Sequence, residues 1–175
     1  MKNKRIFPVM MLLMACLLMS TTVWAQTAKP KASPATTATG KIGDATVTIN
    51  YSSPSVKGRT IWGDLVPYNK VWRAGANEAT TLTVDKDVMV EGKALPAGTY
   101  SVYAIPTEKD WTMIFNKTAK QWGTNYDEKQ DALRVTVKPR KAAALNESLK
   151  YDVTGQGIVL KWENMEIPVA ITAKK

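Results

Sequence analysis

Arg59, Trp62, Trp72, Arg73, Asn77 and Glu78 crowd between positions 59 and 78 of the chain, and Asn116, Trp122, Tyr126 and Arg134 follow downstream. Arginine forks grip carboxylate, phosphate or sulfate. Indole and phenol rings stack on a sugar or another planar face, and an amide fixes orientation. Together these types describe a concave site with aromatic walls and a few convergent polar groups. A mechanical reading competes with it, in which Arg73 and Glu78 form a buried ion pair, Asn77 makes a turn, and the stretch only anchors itself to a sheet. In an extended segment Trp72 and Arg73 point opposite ways, so one enters a core and the other faces a groove or a carboxylate.

What is missing narrows the chemistry. The chain has no histidine and one cysteine, Cys16. Once a leader containing Cys16 is removed, Ser–His–Asp and Cys–His nucleophiles, a disulfide framework and Cys/His zinc sites are all excluded. Carboxylates are the remaining tools for hydrolysis, and a glycosidase needs two of them facing each other. Glu78 is one potential member, with Asp64, Asp127 and Glu163 as potential partners, but nothing in the sequence pairs them. Asp85-Lys86-Asp87 lacks the rest of a calcium loop. Ser53, Ser55 and Lys57 do not have S-x-x-K spacing, and Gly155-Gln156-Gly157 is a hairpin turn rather than a phosphate loop. No cofactor and no metal site is predicted.

The elements that must position these residues read as strands. Val47, Ile49 and Tyr51 alternate with Thr46, Thr48 and Asn50, and the same period recurs at Leu82–Val84, Val88–Val90, Thr99–Ile105, Trp111–Phe115 and Leu133–Val137. It recurs again at Leu149–Val153, Ile158–Trp162 and Ile167–Ile171, with turn residues between the runs. Period-2 alternation broken by turns predicts half-buried antiparallel strands. Eight or nine are expected, in a two-sheet β-sandwich of jelly-roll type, with room for one helical turn between Thr118 and Ala132.

One connection breaks this rhythm, the long stretch from Ser52 to Ala79. Connections of this length in compact domains are uncommon. Ile61, Trp62, Leu65, Val66, Val71 and Trp72 make it too apolar to stay in water, so it is expected to fold over one edge or mouth of the sandwich. The segments "YSSPSVKGR", "LVPYNKVWRAGANEAT", "LPAGTYSVYAIP" and "WTMIFNK…QWG" occur in that order. They closely resemble the bacterial domain of unknown function family 2911 over roughly residues 40–173. The resemblance implies exported or envelope-associated bacterial proteins and an all-β domain, with no established activity to carry to any residue.

The ends of the chain set its surroundings. Lys2, Lys4 and Arg5 precede an apolar run from Ile6 to about Met19, and Val23-Trp24-Ala25 closes it. This is the layout of a secretory signal peptide over residues 1–25, too short for a bilayer span. Leu13-Met14-Ala15-Cys16 resembles a lipid-attachment box, but the residues after Cys16 stay apolar where a lipoprotein turns polar. The expected location is therefore periplasmic or extracellular, with no membrane span in the mature chain. Residues 26–40, "QTAKPKASPATTATG", have no large apolar side chain and read as a flexible tether, leaving 41–175 as a single domain.

Removing three basic and no acidic residues takes the formal charge from +9 to +6. The positive residues are spread and lie mostly away from the aromatics, so nucleic acid is not a predicted partner. A carbohydrate or an anionic envelope component is. The expectation is a non-catalytic binding module; the alternatives are a carboxylate-dependent hydrolase and a structural or protein-interaction module.

Overall fold

The structure, a computed structural model, describes residues 32–174. The leader read at residues 1–25 lies outside the described residues, as do residues 26–31 of the tether. The strands are β1 (Ala35–Ile42), β2 (Ala45–Ser52), β3 (Thr81–Val84), β4 (Val88–Val90), β5 (Lys93–Leu95), β6 (Gly98–Pro106), β7 (Trp111–Asn116), β8 (Asp131–Val137), β9 (Arg140–Thr154) and β10 (Gly157–Ala173). They form a six-stranded sheet, β1-β2-β3-β6-β7-β8, and a four-stranded sheet, β5-β4-β10-β9, with antiparallel pairing throughout. The fold is the expected all-β sandwich. One 3₁₀ turn, Glu128–Gln130, lies in the window expected for a helical turn, and Asp127 caps it. Among the described residues no helix is long and apolar enough to cross a membrane.

Ten strands replace the eight or nine expected. Residues 35–40, assigned to the tether, form most of β1, so the tether reading is corrected there. This strand has no apolar period of its own. Its eight residues pair one for one with β2, and its threonines join a polar ladder, Thr39 to Thr48 at 2.7 Å and Thr37 to Asn50 at 2.8 Å. β5 is a short strand to which the sequence assigned no alternating run.

Alternation decides what is buried. Val47, Ile49, Leu82, Val102, Ala104, Met113 and Phe115 from the larger sheet meet Leu149, Tyr151, Leu160, Trp162, Ile167, Val169 and Ile171 from the smaller one. The long connection adds Val56, Ile61, Val66 and Ala74 to the same core. Its first part lies along β9, where Val56 N donates to the Glu147 carbonyl at 2.7 Å and Leu149 N to the Pro54 carbonyl at 2.9 Å. Its last part lies along β6, where Trp72 and Ala104 exchange two backbone hydrogen bonds of 2.8 Å.

Between these two seams the connection inserts Trp62 and Trp72 against Trp111 of β7 and Trp162 of β10. Trp62 meets Trp111 edge-on with centroids 5.0 Å apart, and Trp72 stacks on Trp162 at 5.8 Å and 15°. Edge-on and offset pairs are the favoured aromatic geometries, worth about 0.5–1.5 kcal/mol each beyond area burial. The connection is therefore bound to both sheets through one indole cluster.

Candidate ligand-binding cleft

The stretch Val71–Thr80 is held by its backbone. Ala74 is fully buried in the left-handed region, at φ 49°, and its carbonyl accepts from Thr80 Oγ1 at 3.1 Å and Tyr151 Oη at 2.8 Å. Asn77, at φ 57°, donates from Nδ2 to the Ser33 carbonyl at 3.2 Å, and its own carbonyl accepts from Gly123 N at 3.1 Å. Trp72 packs into the indole cluster, and both it and its neighbour Arg73 line a cleft.

The cleft, of about 690 Å³, is bounded by the two arms of the long connection and by the segment around Gly123. Its basic side chains are Lys57, Arg59, Lys70 and Arg73, its aromatic ones Trp72, Tyr103, Tyr126 and Trp162, and no acidic side chain lines it among the described residues. Arg59 is fixed by donating Nε to the Val56 carbonyl at 3.0 Å and Nη2 to the Ser55 carbonyl. The Arg73 Nε is buried with no hydrogen-bond partner among the described residues. A second depression, of about 770 Å³ around the Gly155–Gly157 hairpin, has Lys138 and Arg140 but no aromatic wall. Arg140 there is already paired with Glu166 at 2.8 Å.

Tyr126 reaches the cleft from a network the sequence did not reveal. Its hydroxyl donates to Asp131 Oδ2 at 2.7 Å and accepts from Arg134 Nη2 at 2.6 Å. Arg134 Nε also donates to Asp131 Oδ2, at 2.6 Å, and Asn116 Nδ2 to Asp131 Oδ1, at 2.8 Å. Burial, reinforced by the Asp131 carboxylate that accepts its proton, pushes the Tyr126 phenol up to about 12. The Asp131 hydrogen bond likewise raises Arg134 above its ordinary value. Three of the predicted polar candidates thus converge on one carboxylate and hold Tyr126 against Tyr103 at 4.8 Å.

A model of the family described as "Protein of unknown function (DUF2911)" matches residues 33–171. The chain belongs to this family. No curated protein and no solved structure matches it. What the DUF2911 domain does must therefore be argued from its own cleft.

Of the residues singled out in the sequence, Arg59, Trp72, Arg73, Asn77 and Tyr126 line that cleft in the DUF2911 domain. Trp62 lies in the indole cluster behind it. Asn116 is fully buried, and Arg134 is taken up by the Asp131 network and by Glu128 at 3.1 Å. Trp122 is half exposed, and it bridges Glu78 through the backbone. Glu78 borders a different depression, beside the β1–β2 pair. No ion pair joins Arg73 to Glu78 among the described residues, so the buried pair of the mechanical reading is corrected.

Lys57, Lys70, Tyr103 and Trp162 belong to the cleft of the DUF2911 domain without having been predicted there. Trp162 and Tyr103 read only as strand residues, and no local signal sets them apart. The other sequence features have local roles. Asp85 accepts from Thr46 N at 2.6 Å and Asp87 from Ala97 N at 2.9 Å, while Ser53 Oγ donates to the Leu149 carbonyl at 2.6 Å. Among the described residues no cluster of three or more His, Cys, Asp or Glu side chains could hold a metal.

Proposed function

We propose that the cleft binds an anionic ligand with a flat or apolar face, an acidic saccharide or another acidic envelope component, without covalent chemistry. One observation carries this reading. Four basic side chains and four aromatic ones line a single cleft, with no acidic side chain among them. Four cations at one concavity repel one another unless an anion joins them. The leader read in the sequence would deliver the domain to the envelope, where such polymers occur. A two-carboxylate hydrolase is disfavoured at this cleft, because Glu78, Asp64, Asp127 and Glu163 all lie outside its lining.

Trp72 and Trp162 in the wall supply an intrinsic reporter. Titration with a galacturonate hexamer and with a heparin-derived hexasaccharide should change tryptophan fluorescence saturably, and added salt should weaken the effect. Maltohexaose, neutral and of the same length, should leave the signal unchanged. If neither acidic probe binds, by fluorescence or by calorimetry, the reading fails.

A further inference from the structure

Four arginines lie among the described residues, and three have an occupied Nε–H. Arg59 donates it to the Val56 carbonyl at 3.0 Å, Arg134 to Asp131 at 2.6 Å and Arg140 to Glu166 at 2.9 Å. Arg73 differs, because its Nε is buried and meets no acceptor. A charged donor left in that state loses its water without replacement, a cost that an acidic ligand at the guanidinium would offset.

The side chain cannot easily swing away to recover a partner. Gly123 lies against its stem, where an added β-carbon would overlap Arg73 Cδ and stand 2.7 Å from the Asn77 carbonyl oxygen. That oxygen in turn accepts from Gly123 N at 3.1 Å. On the other side, the preceding residue Trp72 is fixed by its two backbone bonds to Ala104 and by stacking on Trp162. The guanidinium is thus held in the cleft wall with its Nε edge unsatisfied.

We propose that Arg73 is the anchoring residue of the cleft and that its guanidinium, whose Nε has no partner in the wall, receives one oxyanion of the ligand, a carboxylate or a sulfate. This rests on the cleft being an anion site, as argued above. A guanidinium presents a planar fork that matches two oxygens of one acidic group, a geometry that a lysine ammonium cannot reproduce. Lys57 and Lys70 supply field to the cleft on flexible stems. Arg73 supplies register, placing the acidic group beside the Trp72–Trp162 wall.

The test compares Arg73→Lys, which keeps the charge, with Lys70→Gln, which removes one. Both are titrated with the galacturonate hexamer and the heparin-derived hexasaccharide, so that carboxylate and sulfate are separated. Arg73→Lys should weaken the binding of the acidic probe by about tenfold to a hundredfold, the worth of charge-assisted hydrogen bonds. Lys70→Gln should cost a few-fold at most. Arg73→Lys within twofold of wild type, or Lys70→Gln costing as much, would overturn the assignment. A measurement that needs no variant is the ¹H–¹⁵N correlation of the arginine Nε–H groups in the wild-type protein. On saturation with the probe the Arg73 resonance should move and those of Arg134 and Arg140 should stay. Saturable binding with a motionless Arg73 resonance sinks this inference alone, whereas no saturable binding at all sinks it together with the proposed function.

Discussion

The hydroxyl of Tyr151 donates to the carbonyl of Ala74 over 2.8 Å, joining residues 77 positions apart. Tyr151 is on β9 in the smaller sheet, and Ala74 is the buried left-handed residue next to Arg73. The bond ties the core to the turn that aims Arg73 at the cleft. A non-glycine residue at φ 49° is costly unless its surroundings hold it. Tyr151→Phe keeps the ring and removes the donor, leaving Thr80 as the remaining partner. It should lower stability by about 1 kcal/mol, or roughly 2–4 °C in melting temperature. A variant that melts with the wild type would show that the turn is held elsewhere.

Glu163 sits at φ 53° on β10, between two irregularities in the β9–β10 register. Its Oε2 is buried without a hydrogen-bond partner among the described residues. Both features oppose folding: the backbone region disfavours a side chain, and a buried acceptor without a donor loses its hydration. Glu163→Gly relieves both, against the greater chain entropy glycine gives the unfolded state. The expected result is a net gain of about 1 kcal/mol, read by urea denaturation. A loss of stability would mean that the carboxylate has a role in the fold that these contacts do not reveal.

The sequence made the sandwich legible where side chains alternate against a core. Val47, Ile49 and Tyr51 in β2, and Ile167, Val169 and Ile171 in β10, carry the period that burial requires. β1 was not legible, because it is stabilised by pairing with β2 and carries no apolar stripe. At the cleft, Arg59, Trp72, Arg73, Asn77 and Tyr126 could be suspected from type alone. Lys57 reads in the sequence only as part of a Ser–Lys arrangement and Lys70 carries no signal; the two arms of the long connection bring them together. Asp131 gave no sign either, since its importance lies in three donors, from Asn116, Tyr126 and Arg134, that meet on it only in the folded chain.

The place of β1 makes the start of the folded unit testable. A chain beginning at Gly40 keeps three of the eight β1–β2 pairs and loses the five from Ala35 to Thr39. It also loses Ser33 and Pro34, whose carbonyls accept from Asn77 Nδ2 and Ser53 N. At about 0.2–1 kcal/mol per cross-strand pair, the truncation should cost roughly 1–5 kcal/mol relative to a chain beginning at Ala32. Differential scanning calorimetry of the two lengths measures this. Equal melting temperatures would return residues 35–40 to the tether.

Protonation should define both edges of the stability plateau. The Arg140 hydrogen bond holds Glu166 below its ordinary value of 4.5, and the backbone N–H groups of Thr46 and Ala97 hold Asp85 and Asp87 below 3.8. Groups whose folded pKa is depressed contribute above their unfolded pKa and lose that contribution as pH falls through the folded one. Stability should therefore decline on acidification below these ordinary values. On the alkaline side, burial raises Tyr126 from 10.0 to about 12 and also raises Tyr103 and Tyr151. A raised phenol contributes fully below its unfolded pKa and loses that contribution as pH climbs through the folded one, so the decline should run from pH 10 to about 12. Absorbance at ~295 nm, where tyrosinate absorbs, follows the step directly. Wild type should show late-titrating phenols, and Tyr126→Phe should remove one of them and flatten part of the alkaline loss. If the phenol lost in Tyr126→Phe is instead one that titrates near the ordinary 10.0, this residue is detached from the Asp131 network.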